Sequence, residues 1–200
     1  MNIIEESYRW ARSLEKRGET RYIVLHHRAG SGTAQGIHSE HLANGWAGIG
    51  YHFYVRKDGR IYRGRPIDTV GAHCTACNRN SVAICFEGNF QKETMTAAQA
   101  ASGRALVSYL KGIYPSAAVR KHNDFDATAC PGRNFPFEDI AKGAVNVKKE
   151  LTSANDIIWE LANGRLKVEI SDVANAVRAL AEAEKSESPL YWILRKIVNG

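Results

Sequence analysis

The sequence predicts an α/β protein with a small all-α segment at its C-terminus. Short apolar, β-prone runs alternate with stretches of helical periodicity over residues 1–150. Near residue 151 the character changes, and three short amphipathic patterns follow one another to the end of the chain. Two hundred residues allow one core of about 150 residues with some chain left over. No run approaches about 18 consecutive apolar residues, so no membrane-spanning helix and no membrane partner are expected.

The elements follow in order. Ile3, Ile4, Tyr8, Ala11 and Leu14 recur at helical spacing ahead of Gly18, which predicts a helix over 3–17. Residues 21–26 read as a buried strand, Ala29-Gly30-Ser31-Gly32 as a loop and 37–46 as a helix. Tyr51-His52-Phe53-Tyr54-Val55 reads as a strand, and Lys57-Asp58-Gly59-Arg60 signals a hairpin into Ile61-Tyr62-Arg63. Ser81 to Phe86 is apolar and β-prone, which suits a central strand. Residues 96–114 predict a long helix, 118–121 a short strand and 135–150 a further helix. In the tail, Ser153, Ser171-Asp172 and Ser188-Pro189 each can open a short helix. The division is therefore 1–150 as the main domain and 151–200 as a small helical module or extension.

Charge and cysteine content narrow the function classes. Of 27 Lys and Arg and 21 Asp and Glu, residues 1–150 hold 21 and 14, and residues 151–200 hold 6 and 7. The front portion should be drawn to a polyanion. Its basic residues are scattered, with no basic run and no aromatic-interleaved stripe, so nucleic acid is not expected as the partner. Met1-Asn2-Ile3-Ile4-Glu5-Glu6 lacks the basic and apolar regions of a secretory signal, so a cytoplasmic protein, released by another route, is expected. Cys74-Thr75-Ala76-Cys77 has C-x-x-C spacing. A second metal site would need two more ligands, of which only His73 is close, and a redox motif would need a preceding strand and a following helix. Free thiols are the expected state.

Three soft-metal ligands stand at the ends of local elements. His26 closes the run Tyr22-Ile23-Val24-Leu25, His122 closes Ala118-Val119-Arg120-Lys121, and Cys130 precedes Pro131-Gly132. Two imidazoles and a thiolate leave a fourth tetrahedral position for water, as in a catalytic zinc site. A lone strand-end His is more often a hydrogen-bonded core residue. Here three candidates coincide with other site-like residues. Tyr51 follows Gly50 at a strand start, so its hydroxyl can reach a cleft, and Thr128 lies two residues before Cys130 on one loop. His27 adjoins His26, and a strand sends neighbours to opposite faces, so one of the two should pack elsewhere.

Six collinear stretches over roughly 20–150 carry a resemblance. They are Ile23-Val24-Leu25-His26-His27, Gly50-Tyr51-His52-Phe53, Lys57 through Arg65, Gly71-Ala72-His73, Asn80-Ser81-Val82-Ala83-Ile84 and Cys130-Pro131-Gly132. Together they resemble the zinc N-acetylmuramoyl-L-alanine amidases, the family shared by bacteriophage endolysins and peptidoglycan recognition proteins. The resemblance implies a central mixed β-sheet flanked by helices and one zinc ion on His26, His122 and Cys130. It implies assistance to the chemistry from Tyr51 and Thr128, and peptidoglycan as substrate. His73 resembles a groove residue of the family, and Asn80 lies in a matching motif, so both are candidate substrate contacts. Where many bacterial members carry Glu as general base, this chain has Cys85, and Glu87 two residues on is a candidate substitute, with a structural ion pair as the alternative. Recognition proteins carry a disulfide near Cys74 and Cys77, which keeps a loop disulfide open as the alternative to free thiols. The implied activity is zinc-assisted cleavage between N-acetylmuramic acid and L-alanine, and the alternative is a non-catalytic recognition module. The tail more weakly resembles a helical segment of clostridial phage-type wall enzymes, which suggests wall binding, or pairing of two chains.

Overall fold

A strand buried at every position must lie inside a sheet that is covered on both faces, and Ser81–Phe86 is such a strand. The structure, a computed structural model of the protein, describes residues 1–144. Its strands are β1 (Ile3–Ile4), β2 (Tyr22–His27), β3 (Phe53–Val55), β4 (Ile61–Arg63), β5 (Ser81–Phe86) and β6 (Ala118–Lys121), and its helices α1 (Ala34–Ala43), α2 (Ala97–Ile113) and α3 (Phe137–Ala141). The sheet runs β1-β4-β3-β5-β2-β6. Only β3 and β4 pair antiparallel; the other neighbours are parallel, so the sheet is mixed, as the resemblance implies.

Strand alternation sorts the core into two layers. Ile23, Leu25, Phe53, Val55, Ile84 and Phe86 point to one face and pack with Leu106, Val107 and Leu110 of α2 and Ile140 of α3. On the other face Tyr54 and Cys85 pack with Ala34 and Ile37 of α1. Truncating one of these side chains, as in Leu106→Ala, costs about 2–5 kcal/mol. Both long helices begin on threonine caps: the Thr33 hydroxyl accepts the Gly36 N–H at 3.0 Å and that of Thr96 accepts the Gln99 N–H at 3.1 Å.

Several expectations need correction. Residues 3–17 do not form a helix. Ile3 and Ile4 pair with Ile61 and Tyr62 at the sheet edge, the Tyr8 hydroxyl donates to the Arg63 carbonyl at 2.9 Å, and the Ala11 N–H donates to the Ala47 carbonyl at 3.0 Å. Tertiary partners satisfy this segment, so its helical spacing of apolar residues reports contacts with the domain instead. The first helix starts earlier than expected, at Ala34, because Thr33 caps it. The third strand starts later, at Phe53. Cys74 and Cys77 are not free thiols but joined in a disulfide. A turn, with the Cys77 N–H donating to the Cys74 carbonyl at 3.1 Å, brings their Cα atoms to 5.3 Å, within the range a disulfide spans. Of the helix expected over 135–150, only Phe137–Ala141 is formed: Phe135 and Pro136 precede it, and the chain leaves the helix at Lys142 with Gly143 at φ +74°; residues 145–150 and the helices expected over 151–200 lie outside the described residues. Among the described residues no helix is long and apolar enough to cross a membrane.

Candidate metal centre

Sheet register brings the distant ligands together. His26 sits opposite Cys85 near the end of β2. Leu25 on β2 is opposite Lys121, the last residue of β6, so His122, the residue just after that strand, emerges beside His26. Their rings lie 4.3 Å apart. Cys130 arrives on the loop after β6, and its sulfur lies 3.8 Å from His26 Nδ1. One ligand atom each from His26, His122 and Cys130 falls within a 4.8 Å group. Bonds of about 2.0–2.3 Å at tetrahedral angles separate neighbouring donors by about 3.5 Å, so this donor set fits zinc with little movement.

The loop carrying Cys130 is tightly seated. The Thr128 hydroxyl oxygen accepts the Cys130 N–H at 3.2 Å, and the Cys130 sulfur accepts the His27 N–H at 3.3 Å. Gly132 adopts φ +107°, and a Cβ there would come within 2.5 Å of the Phe90 backbone, so only glycine lets the chain pass. His27 turns away from the centre, as strand alternation requires, and its Nδ1 accepts the Phe90 N–H at 3.2 Å.

Electrostatics prepare the donors. Burial, followed by the neighbouring His122 and His27, holds the His26 pKa well below the usual imidazole value, so the ring stays neutral with a lone pair to offer. Burial pushes the Cys130 thiol up to about 11, against the pull of the His27 N–H; a metal must therefore displace its proton. Burial, then Cys85 and Cys130, raises the Tyr51 phenol far above its usual value, which keeps it a hydrogen-bond donor. A second group of potential ligands, Cys74, His122 and Asp126, is disqualified because the Cys74 sulfur is committed to the disulfide.

A cavity of about 760 Å³ adjoins the centre, with Tyr51, His73, His122 and Asp126 on its wall beside Arg12, Trp46 and Arg65. Tyr51 is positioned by Gly50, where a Cβ would fall 1.9 Å from the Ala72 carbonyl oxygen. Its ring lies 5.3 Å from that of His26. His73 meets the centre directly: its Nδ1 is 3.0 Å from His26 Nε2. Thr128 is on the ligand loop and exposed. Two expected contacts are not brought here. Glu87 is not on the cavity wall; its carboxylate accepts from Arg56 Nε at 3.1 Å, the Lys57 N–H at 3.0 Å and the Gly32 N–H at 3.2 Å, a structural ion pair with its lone pairs occupied. Asn80 also lies off the wall, donating its backbone N–H to the Cys77 carbonyl at 3.2 Å. Asp126, which the sequence reading missed, is four residues after His122, and its Oδ2 lies 3.0 Å from His122 Nε2; a carboxylate one helical turn from a candidate ligand was the available signal.

Comparison with known proteins places this geometry among relatives. Residues 16–133 match the family described as N-acetylmuramoyl-L-alanine amidase. An endolysin of Klebsiella phage KP32 is 35% identical over 125 residues, which cover 58% of this chain and 83% of that protein. Peptidoglycan-recognition protein SC2 of Drosophila melanogaster is 36% identical over 127 residues, covering 57% and 69%. Among solved structures, the endolysin amidase LysCS from Clostridium intestinale URNW superposes with a TM-score of 0.68 at 45% identity, covering 70% of this chain and 92% of that one.

Proposed function

The chain belongs to the N-acetylmuramoyl-L-alanine amidase family, and from that premise we propose that it is a peptidoglycan hydrolase of the phage endolysin kind. It would cleave the amide between the lactyl group of N-acetylmuramic acid and L-alanine, with one zinc ion on His26, His122 and Cys130. The observation that carries this reading is the convergence of those three donors beside a cavity whose wall His122 and Tyr51 line.

Zinc bound there supplies polarisation of a carbonyl and a lowering of the pKa of water toward about 7. The chain's own groups do the rest. His26 offers a neutral imidazole, and the Cys130 sulfur carries negative charge once its proton is lost, steadied by the His27 N–H. The protonated Tyr51 hydroxyl donates to the oxygen on which charge develops as the amide is attacked. The Thr128 oxygen accepts the Cys130 N–H, which leaves its exposed hydroxyl proton to orient water. Arg12 and Arg65 on the cavity wall suit an anionic wall polymer.

The test joins zinc content by elemental analysis to release of free amino groups from purified cell wall. Stoichiometric zinc with amino-group release supports hydrolysis. Wall binding without release supports the second reading, a recognition module of the same fold, which similarity to recognition protein SC2 keeps in view. Residues 151–200 are proposed as a wall-binding or dimerising attachment. Deleting 152–200 and measuring wall binding, activity and oligomeric state separately tests it.

A further inference from the structure

Both imidazoles of the centre are backed by one short loop. Asp126 Oδ2 lies 3.0 Å from His122 Nε2 and accepts the Thr75 N–H at 3.0 Å. Thr75 and Ala76 are the two residues enclosed by the Cys74–Cys77 disulfide. From the other side, His26 Nε2 is 3.0 Å from His73 Nδ1, His73 Nε2 is 3.4 Å from Ser81 Oγ, and Ser81 Oγ donates to the Cys77 carbonyl at 2.6 Å. Asn78 Oδ1 closes the loop by accepting the His73 and Cys74 N–H groups at 2.8 and 3.0 Å.

Because Ser81 spends its proton on Cys77, its oxygen accepts from His73 Nε2. His73 Nδ1 then accepts from His26 Nε2. That leaves His26 Nδ1 bare, the nitrogen facing the Cys130 sulfur. The same logic applies to His122: a carboxylate can only accept, so Nε2 carries the proton and Nδ1 is left to ligate.

We propose that Asp126 is a positioning residue that fixes the tautomer and orientation of His122, and that the disulfide-closed loop holds Asp126 in that role. The proposal rests on the zinc reading above. It makes the Cys74–Cys77 loop the outer frame of the metal centre.

Two measurements on the full chain test it. Nitrogen-15 NMR of the metal-free protein reads the His122 tautomer, and competition with a chromophoric chelator reads zinc affinity. The wild type should carry the His122 proton on Nε2. Asp126→Ala should mix the tautomers and weaken zinc binding by about 10–100-fold. Asp126→Asn keeps an acceptor oxygen and should recover most of that loss. Cys74→Ser combined with Cys77→Ser should weaken binding in the same direction by a smaller factor. A wild-type His122 protonated on Nδ1, or an Asp126→Ala protein with undiminished zinc affinity, overturns the assignment to Asp126. Undiminished affinity in the double serine variant overturns the part given to the loop. A wild type that binds no zinc sinks the proposed function instead, while the tautomer still reports on Asp126.

Discussion

Replacing Tyr51 by Phe separates chemistry from structure. The phenol ring is held by neighbouring rings, with centroids 5.3 Å away at His26 and 5.8 Å away at His41, and Phe keeps all of that contact. The polar side chain that bears on the hydroxyl is Cys85, a weak acceptor at most, so removing the hydroxyl costs under about 1 kcal/mol of stability. The proposed donor set does not include this hydroxyl, so zinc content should not change. If it donates to the developing oxyanion, its loss removes one such donor, worth about 2.7–4 kcal/mol, or about 10²–10³ in kcat. At about 1.4 kcal/mol per decade, the effect on rate exceeds the effect on stability by a wide margin. The assay is amino-group release from purified wall under saturating substrate, with elemental zinc and thermal unfolding on the same preparation. A kcat within about threefold of wild type, or loss of zinc, would refute the role given to Tyr51.

His26→Ala, His122→Ala and Cys130→Ser should each abolish turnover and lower bound zinc, read by elemental analysis; full activity in a metal-stripped Cys130→Ser protein contradicts the mechanism. With the Cys130 thiol near about 11 in the metal-free protein, zinc binding near pH 8 should expel about one proton and tighten about tenfold per pH unit; calorimetry in buffers of different ionisation heat reads this, and no proton release contradicts it. Gly132→Ala forces a side chain into φ +107° against the Phe90 backbone and should cost about 1–3 kcal/mol in urea unfolding, with a wild-type curve as the contrary result. Glu87 is buried, which raises its pKa, but Arg56 and the Lys57 and Gly32 N–H groups outweigh burial and leave it below the usual 4.5. Its stabilising effect is therefore present above that value and lost as pH falls through the lowered one. Because Arg56 is partly exposed, Glu87→Gln should cost about 2 kcal/mol at pH 7 and progressively less as pH falls below 4.5, with kcat within a few-fold of wild type; a stable variant with kcat lowered by about 100-fold or more would make Glu87 a base after all.

What the sequence made legible was what its local pattern controls. The central strand Ser81–Phe86 is a continuous apolar run, and its observed bounds match because it is buried on both faces. The helix expected over 96–114 is observed as Ala97–Ile113 because Thr96 caps it and its apolar stripe faces the sheet. That His26, His122 and Cys130 form one candidate donor group was readable from their residue types and from the strands that deliver the two imidazoles, one at the end of β2 and one just after β6. Residues 3–17 misled because their partners, Ala47, Arg63 and the β4 strand, are remote in sequence. Cys74 and Cys77 were misjudged because spacing alone does not reveal the turn that joins them. Asp126 was overlooked although it stands four residues after His122; the Thr75 N–H that holds it, 51 residues away, gives no local signal.

The buried donor set also bears on the choice between hydrolysis and recognition. A binding groove needs a shaped cavity and matching charge, which Arg12, Trp46 and Arg65 can supply without a metal. Nothing in that task calls for a thiol at the groove edge with its pKa raised by burial, or for an imidazole kept neutral in the core. Buried polar groups cost stability unless partnered, and Cys130, His26 and His122 leave one nitrogen or sulfur each aimed at a shared point. A cation held there would satisfy all three at once and, on the proposed function, would link the stability of the domain to metal. Chelation should therefore lower the melting temperature of the wild type by several degrees, and of Cys130→Ser hardly at all. Equal melting with and without chelator in the wild type would remove the stability argument for the metal and leave recognition as the better reading.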